Sequence, residues 1–227
     1  MTATRKIDVA PPPLENGERL TREAFEIRYE AMPRLKKAEL VEGVVYFATS
    51  VRASHGEAHG VLATLLGIFS AYTSGTFIAD NSTVRLDENN EPQPDVLMCI
   101  DADKGGSARI DEDDFIAGAP ELILEVATSA SAYDLYDKKE AYRRNGVREY
   151  VVWVVRGRSL SWFALQSGEY VELAPDESGI IRSQVFPGLW LNVDAFIAGD
   201  LALVYETLQT GISDGSHQAF VKKLSRD

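Results

Sequence analysis

The chain has a single cysteine among 227 residues, so no disulfide can form within it. Cys99 lies in the apolar run PDVLMCI and reads as a small buried hydrophobe rather than a reactive thiol. No apolar run approaches the roughly 18 residues that span a bilayer, which excludes a transmembrane helix. The opening residues, MTATRKIDVAPPP, lack the apolar centre of an export signal. A cytoplasmic protein with no membrane partner is therefore expected. Positive charge is scarce too: 23 Lys and Arg stand against 35 Asp and Glu, for a net charge of −12. This weighs against broad binding to a polyanion, because phosphate contacts supply most non-specific nucleic-acid affinity. No internal repeat is visible.

What the chain does have is 45% hydrophobic residues, enough for one sizeable core. Its charge is also unevenly spread. Residues 101 to 114 carry six acids against two bases. From Tyr136 to Arg158 there are seven Lys and Arg against three Asp and Glu, a local strip that could meet a phosphate backbone. A solvated helix face would carry the same charges.

Taken in order, residues 1 to 19 hold Pro11-Pro12-Pro13 and few apolar anchors, and read as a flexible or extended arm. Thr21 can cap a short helix that Pro33 stops. Ala38 to Thr49 reads as a hairpin hinged at Glu42-Gly43, with Glu39 either part of a site or an exposed hairpin acid. A helix runs from His55 to about Tyr72, where Ala58, Val61, Leu62, Leu65, Leu66 and Phe69 recur at helical spacing. His55 and His59 stand four apart at its start. Without a third ligand this spacing is a weak metal signal, and a hydrogen bond from His55 at the mouth of a site is the better reading.

GTFIADNSTVRL has strand character on both sides of Asp80-Asn81-Ser82. In PDVLMCI, apolar residues fall on both faces, as in a central strand. Asp101 to Gly118 reads as a long acidic loop. ELILEVA is a second central strand, with Glu121 expected near its exposed beginning. Glu125 is flanked by apolar residues, and a buried carboxylate costs several kcal/mol by order of magnitude unless it is paired or bound to a metal. After the loop TSASAY, a helix from Asp134 to Arg144 ends at a left-handed Asn145-Gly146 cap. Leu135, Lys138, Ala141 and Tyr142 lie on its inward stripe, with Lys139 at the edge. Lys138 either extends its charge to solvent or meets Glu125. VREYVVWVV, then LSWFAL and EYVEL joined at Ser167-Gly168, give a strand and a hairpin. FPGLWLNV supplies further packing, DAFIAGDLALVYETL one or two helices, and residues 210–227 a polar tail. The sum is one α/β domain over residues 20–209, helices flanking a mixed sheet.

Asp95, Glu125 and Lys138 are of the right types for phosphodiester hydrolysis. That reaction requires an activated water, neutralised phosphoryl oxygens and a stabilised leaving alkoxide. Hard cations such as Mg²⁺ or Mn²⁺ do most of this. They prefer carboxylate oxygens, and the phosphate completes their shell. A nearby lysine can orient the water or offset phosphoryl charge.

The order PD, then ELILEV, then D…KKEAYRRNGVREY resembles the Uma-two family of restriction endonucleases, within the PD-(D/E)XK nuclease superfamily. The resemblance extends upstream to AELVEGVVY and His55 and downstream to FPGL, over roughly residues 20 to 200. It implies a restriction-endonuclease-like core and metal ligation by Asp95 and Glu125. The wider superfamily has its lysine two residues after the second acid, where this chain has Ala127. The Uma-two pattern moves it to the next helix, at Lys138, and leaves the backbone carbonyl of Ala127 as a further metal ligand. Glu39 matches an upstream supporting acid and His55 a recurrent histidine. The chain departs from the pattern at Val151, where tryptophan is usual, and at Val154 and Val155, where an acid commonly closes the strand.

The expectation is a Mg²⁺- or Mn²⁺-dependent endonuclease acting on DNA, working as a homodimer because two-fold symmetry suits palindromic sites. A non-catalytic module on the same fold, binding nucleic acid or protein, is the alternative, and the acidic balance favours it. A purely structural α/β protein would use Glu125 and Lys138 only as a buried ion pair.

Overall fold

A computed structural model describes residues 10–48, 50–128 and 136–225. The chain begins with α1 (Arg22–Glu30), whose N-cap Thr21 accepts a hydrogen bond from Ala24 N. The hairpin β1 (Ala38–Val41) and β2 (Val44–Phe47) follows. It turns at Glu42 (φ 53°) and Gly43 (φ 71°), as a two-residue turn with both φ positive requires. Next come α2 (Ala53–Ala71), β3 (Thr76–Asp80), β4 (Val84–Arg85) and β5 (Val96–Ile100). The segment expected to be a long acidic loop holds a short 3-10 turn (Ala102–Lys104) and two short strands, β6 (Ala108–Ile110) and β7 (Ile116–Gly118). With β4 these form a small three-stranded sheet.

Then follow β8 (Leu122–Ala127), α3 (Lys138–Asn145), β9 (Glu149–Val154), β10 (Ser159–Gln166) and β11 (Glu169–Glu172). The loop TSASAY beyond Thr128, the expected helix start at Asp134 and the inward Leu135 lie outside the described residues, as does Thr49. α3 ends where expected, at Gly146 with φ 84°. The chain closes with β12 (Ile180–Arg182), β13 (Trp190–Asn192), α4 (Val193–Ala198), α5 (Leu201–Ser213) and α6 (Gly215–Leu224).

The main sheet has the order β11-β10-β9-β8-β5-β3, antiparallel throughout except for the parallel pair β8–β9. It is the expected mixed sheet flanked by helices. The two faces separate by residue parity, as a period of two demands. Val96, Met98, Ile100, Leu122, Leu124 and Val126 pack on one face against α2, α4, α5 and α6. Leu97, Cys99, Ile123 and Ala127 pack on the other with Tyr142 of α3 and with Val84, Ala108 and Ile116 of the small sheet. A third cluster joins α1 to the hairpin through Phe25, Ala38, Leu40 and Val45.

Packed structure extends to both sides of residues 20–209. The arm is docked from Pro12 onward: Leu14 is buried in the third cluster, Arg28 bonds the Pro12 carbonyl and Glu18, and Gly17 N donates to Val45 O. Burial of one leucine and an Arg–Glu pair hold it. At the other end, α5 runs past residue 209 to Ser213, and α6 follows from Gly215 to Leu224 after the extended cap Asp214, so this stretch is no loose tail. Leu224 reaches the main core, and buried His217 bonds Thr73 Oγ1 and the Ile212 carbonyl.

Candidate active site

The site lies where β5 and β8 part. Their pairing stops at Val96 and Leu124. The next amide of β8 on that side, Val126 N, has no backbone partner across the gap. It donates instead to Asp95 Oδ2 at 2.7 Å, so the carboxylate completes the ladder. The Val126 carbonyl points the same way, because N–H and C=O of one strand residue share a side, and it accepts from His55. The next carbonyl, that of Ala127, faces the opposite edge and accepts from Val155 N at 2.9 Å. The backbone oxygen presented to the gap is therefore that of Val126, whereas the Ala127 oxygen is engaged in the β8–β9 ladder.

Glu125 projects to the α3 side. Its Oε1 accepts from Lys138 Nζ and from Tyr142 Oη, both at 2.8 Å. Lys138 Nζ also lies 2.8 Å from Glu39 Oε1, which in turn accepts from Gln93 N at 2.7 Å. The lysine therefore meets acids rather than reaching solvent. Asp95 is 7%, Glu125 4% and Lys138 2% exposed, and Glu39 is also buried. Glu39 is a buried acid from the hairpin, not an exposed one.

The electrostatics favour the ionised forms of Asp95 and Glu39. Burial opposes ionisation of Asp95, but the His55 hydrogen bond, the Val126 amide and the charges of His55 and Lys37 together hold its carboxyl below the usual range. Burial likewise works against ionised Glu39 and is outweighed by the Lys138 and Lys37 charges and the Gln93 amide. His55 lies 3.5 Å from Asp95 Oδ1, and that hydrogen bond raises the imidazole pKa against the opposing effect of burial. His59 Nε2 lies 2.7 Å from Asp80 Oδ1 and 3.1 Å from the Asp95 carbonyl, and so steadies the turn into β5.

These side chains line one cavity of about 510 Å³. Asp95, Glu125, Lys138, Glu39, His55 and Ala127 all border it, and so do Lys37, Tyr46, Arg52 and Val126. Among the described residues no group of three or more His, Cys, Asp and Glu side chains is arranged to hold a metal ion. A Mg²⁺ site does not need one, since two carboxylates, waters and substrate oxygens suffice. Asp95, Glu125 and the Val126 carbonyl offer only hard oxygen donors to the same space, which fits Mg²⁺ or Mn²⁺.

The model of the Uma2 family, described as "Putative restriction endonuclease", matches residues 23–194. The chain belongs to the Uma2 family. A solved structure from Anabaena variabilis ATCC 29413, described as a "putative nuclease belonging to DUF820", superposes with a TM-score of 0.55. That similarity covers 82% of this chain and 97% of the other at 12% identity, so it is a likeness of fold. No curated protein matches the chain.

Three features of this Uma2 site were not read from the sequence as parts of it. Tyr142 follows Lys138 by one helical turn, so both reach Glu125 from one face. Tyr46 is the cross-strand partner of Glu39 and lines the cavity beside it. Lys37 bonds the Gln93 carbonyl at 2.7 Å and Asn81 Oδ1 at 3.2 Å. The first two were recoverable from helical and hairpin spacing, whereas the third depends on a tertiary contact.

Proposed function

We propose that this chain is a Mg²⁺- or Mn²⁺-dependent endonuclease hydrolysing phosphodiester bonds in DNA. The observation that carries the reading is the convergence of Asp95, Glu125 and Lys138, from β5, β8 and α3, on one cavity. A structural ion pair would need neither Asp95 nor the Val126 carbonyl at the same place.

Asp95, Glu125 and the Val126 carbonyl would hold the cation. Bound there, it would polarise the phosphoryl oxygens and lower the pKa of an attacking water. His55 and the Val126 amide fix the Asp95 carboxylate, while Tyr142 and Lys138 fix Glu125. Lys138, set between two acids, presents positive charge where phosphoryl oxygens would approach. Glu39 holds that ammonium in place.

The test is Mn²⁺ titration by calorimetry alongside cleavage of labelled DNA, for the wild type and Asp95→Asn. Wild-type binding and Mg²⁺-dependent cleavage, both lost in the variant, are expected. Undiminished Mn²⁺ binding by Asp95→Asn would remove Asp95 from the ligand set. The net charge of −12 favours a second reading, a non-catalytic module, and Mn²⁺ binding without cleavage of any strand would select it.

A further inference from the structure

The groups proposed to act on the phosphate line the cavity and are themselves buried. A paired duplex presents its phosphates on the outside of a stiff cylinder. The positive charge needed to hold such a cylinder is sparse at this mouth. Of the Lys and Arg side chains that line the cavity among the described residues, Lys138 is committed to Glu39 and Glu125, which leaves Lys37 and the exposed Arg52. Duplex binders draw their affinity from many more phosphate contacts.

The wall offers a different kind of contact. Tyr46 stands on the same hairpin face as Glu39, its register partner, and lines the cavity with its ring half-buried. Its hydroxyl donates to Asp137 Oδ2 at 3.2 Å, which fixes the ring's direction. Val51, 72% exposed, adds an apolar surface on the same lining. An aromatic wall beside a few cations is how proteins hold unpaired nucleotides, where stacking replaces much of the phosphate term.

We propose that the substrate enters this cavity as an unpaired DNA strand, a base against Tyr46 and Val51 and the adjoining phosphate over Asp95 and Glu125. Lys37 and Arg52 take the flanking phosphates. A single strand or an unpaired bulge can reach these buried groups, whereas an intact duplex stays at the rim. The inference rests on the nuclease reading above and narrows its substrate.

The test compares one labelled DNA sequence as a single strand, as a fully paired duplex and as a duplex with an unpaired bulge, each with Mg²⁺ and with Mn²⁺. Cleavage of the strand and at the bulge, with the paired duplex spared, is expected. Tyr46→Leu should raise KM for the strand about tenfold, the scale of one lost base–aromatic stack, with kcat little changed. Tyr46→Phe, which keeps the ring, should restore wild-type KM. Val51→Glu, at an exposed position, should raise KM through charge repulsion and serves as the second variant should Tyr46→Leu not fold. Equal cleavage of strand and paired duplex would overturn this inference and leave the nuclease reading standing. A wild-type KM in Val51→Glu together with Tyr46→Leu would also overturn it. Failure to cut any of the three DNAs with either metal would overturn both.

Discussion

Lys138 Nζ lies 2.8 Å from Glu125 Oε1, and the same nitrogen lies 2.8 Å from Glu39 Oε1. One buried ammonium thus joins the hairpin β1–β2, the central strand β8 and the helix α3. The arrangement is asymmetric in what its loss would do. Replacing all three groups with apolar ones could be nearly neutral, but removing the cation alone leaves two acids facing each other out of water.

Lys138→Met is therefore expected to lose about 3–5 kcal/mol of unfolding free energy at neutral pH. Adding Glu39→Gln should recover part of this, since one of the two acids is then neutral. Urea unfolding of wild type, single and double variants reads the effect. A single-variant loss under about 1 kcal/mol, the range of exposed pairs, would contradict the buried geometry.

A second buried acid, just before β8, has a separate task. Glu121, expected at an exposed strand start, is fully buried. Its Oε2 accepts from Ile100 N and its Oε1 from Ser107 N, each at 2.8 Å. It therefore ties β5 to the turn before β6. Glu121→Gln replaces one acceptor with a donor that faces an N–H, and should cost about 1.5–3 kcal/mol. Mn²⁺ affinity should be unchanged, because Glu121 sits just before β8, away from Glu125. An affinity loss matching that of Asp95→Asn would show that Glu121 belongs to the site instead.

These two acids also show what could be read from the chain beforehand. Glu125 announced itself because apolar residues surround it on an alternating strand. Asp95 did so by opening a strand that is apolar on both faces. Lys138 stood on the inward stripe of a helix. Each signal is periodic, so sequence alone carries it. Glu121 shares the parity of Glu125 but lies at a strand terminus, where burial is set by the segment folded over it. The strands β6 and β7 hold three residues each in an acidic stretch, too short to show alternation. The start of α5 lies in the expected helical stretch DAFIAGDLALVYETL, whereas its last turns and α6 are obscured by Gly211, Gly215 and several hydroxyl residues. Gly211 is needed there because a Cβ would meet the Gly188 carbonyl oxygen at 2.2 Å and the Trp190 ring at 2.8 Å. The Ala127 carbonyl accepts from Val155 N, an engagement no local pattern displays, because the edge a backbone oxygen faces depends on which neighbour each strand pairs with.

Stability should also depend on pH through a group that does not line the cavity. Glu91 is 4% exposed, and its backbone pairs with Leu40 of β1. Burial, followed by the hydrogen bond and charge of Glu26, pushes its carboxyl up to about 9 against the opposing pull of Arg85 and Arg22. Arg85 is itself shared among Glu26, Asp111 and Asp113. In the unfolded chain Glu91 returns to its ordinary value near 4.5. Between those two values the folded protein holds a proton that the unfolded chain has released. Stability must therefore fall as pH rises through that window and level off above it. Glu149, buried and also raised by burial, contributes a slope of the same sign, so the wild type alone cannot isolate Glu91. Glu91→Gln can, because the amide imitates the protonated acid at every pH. The variant should match the wild type near about pH 5 and become the more stable of the two toward about pH 9, by a difference on the order of a few kcal/mol. Urea unfolding across that range measures both curves. If they run parallel, Glu91 titrates as an ordinary carboxyl and does not share a proton with Glu26.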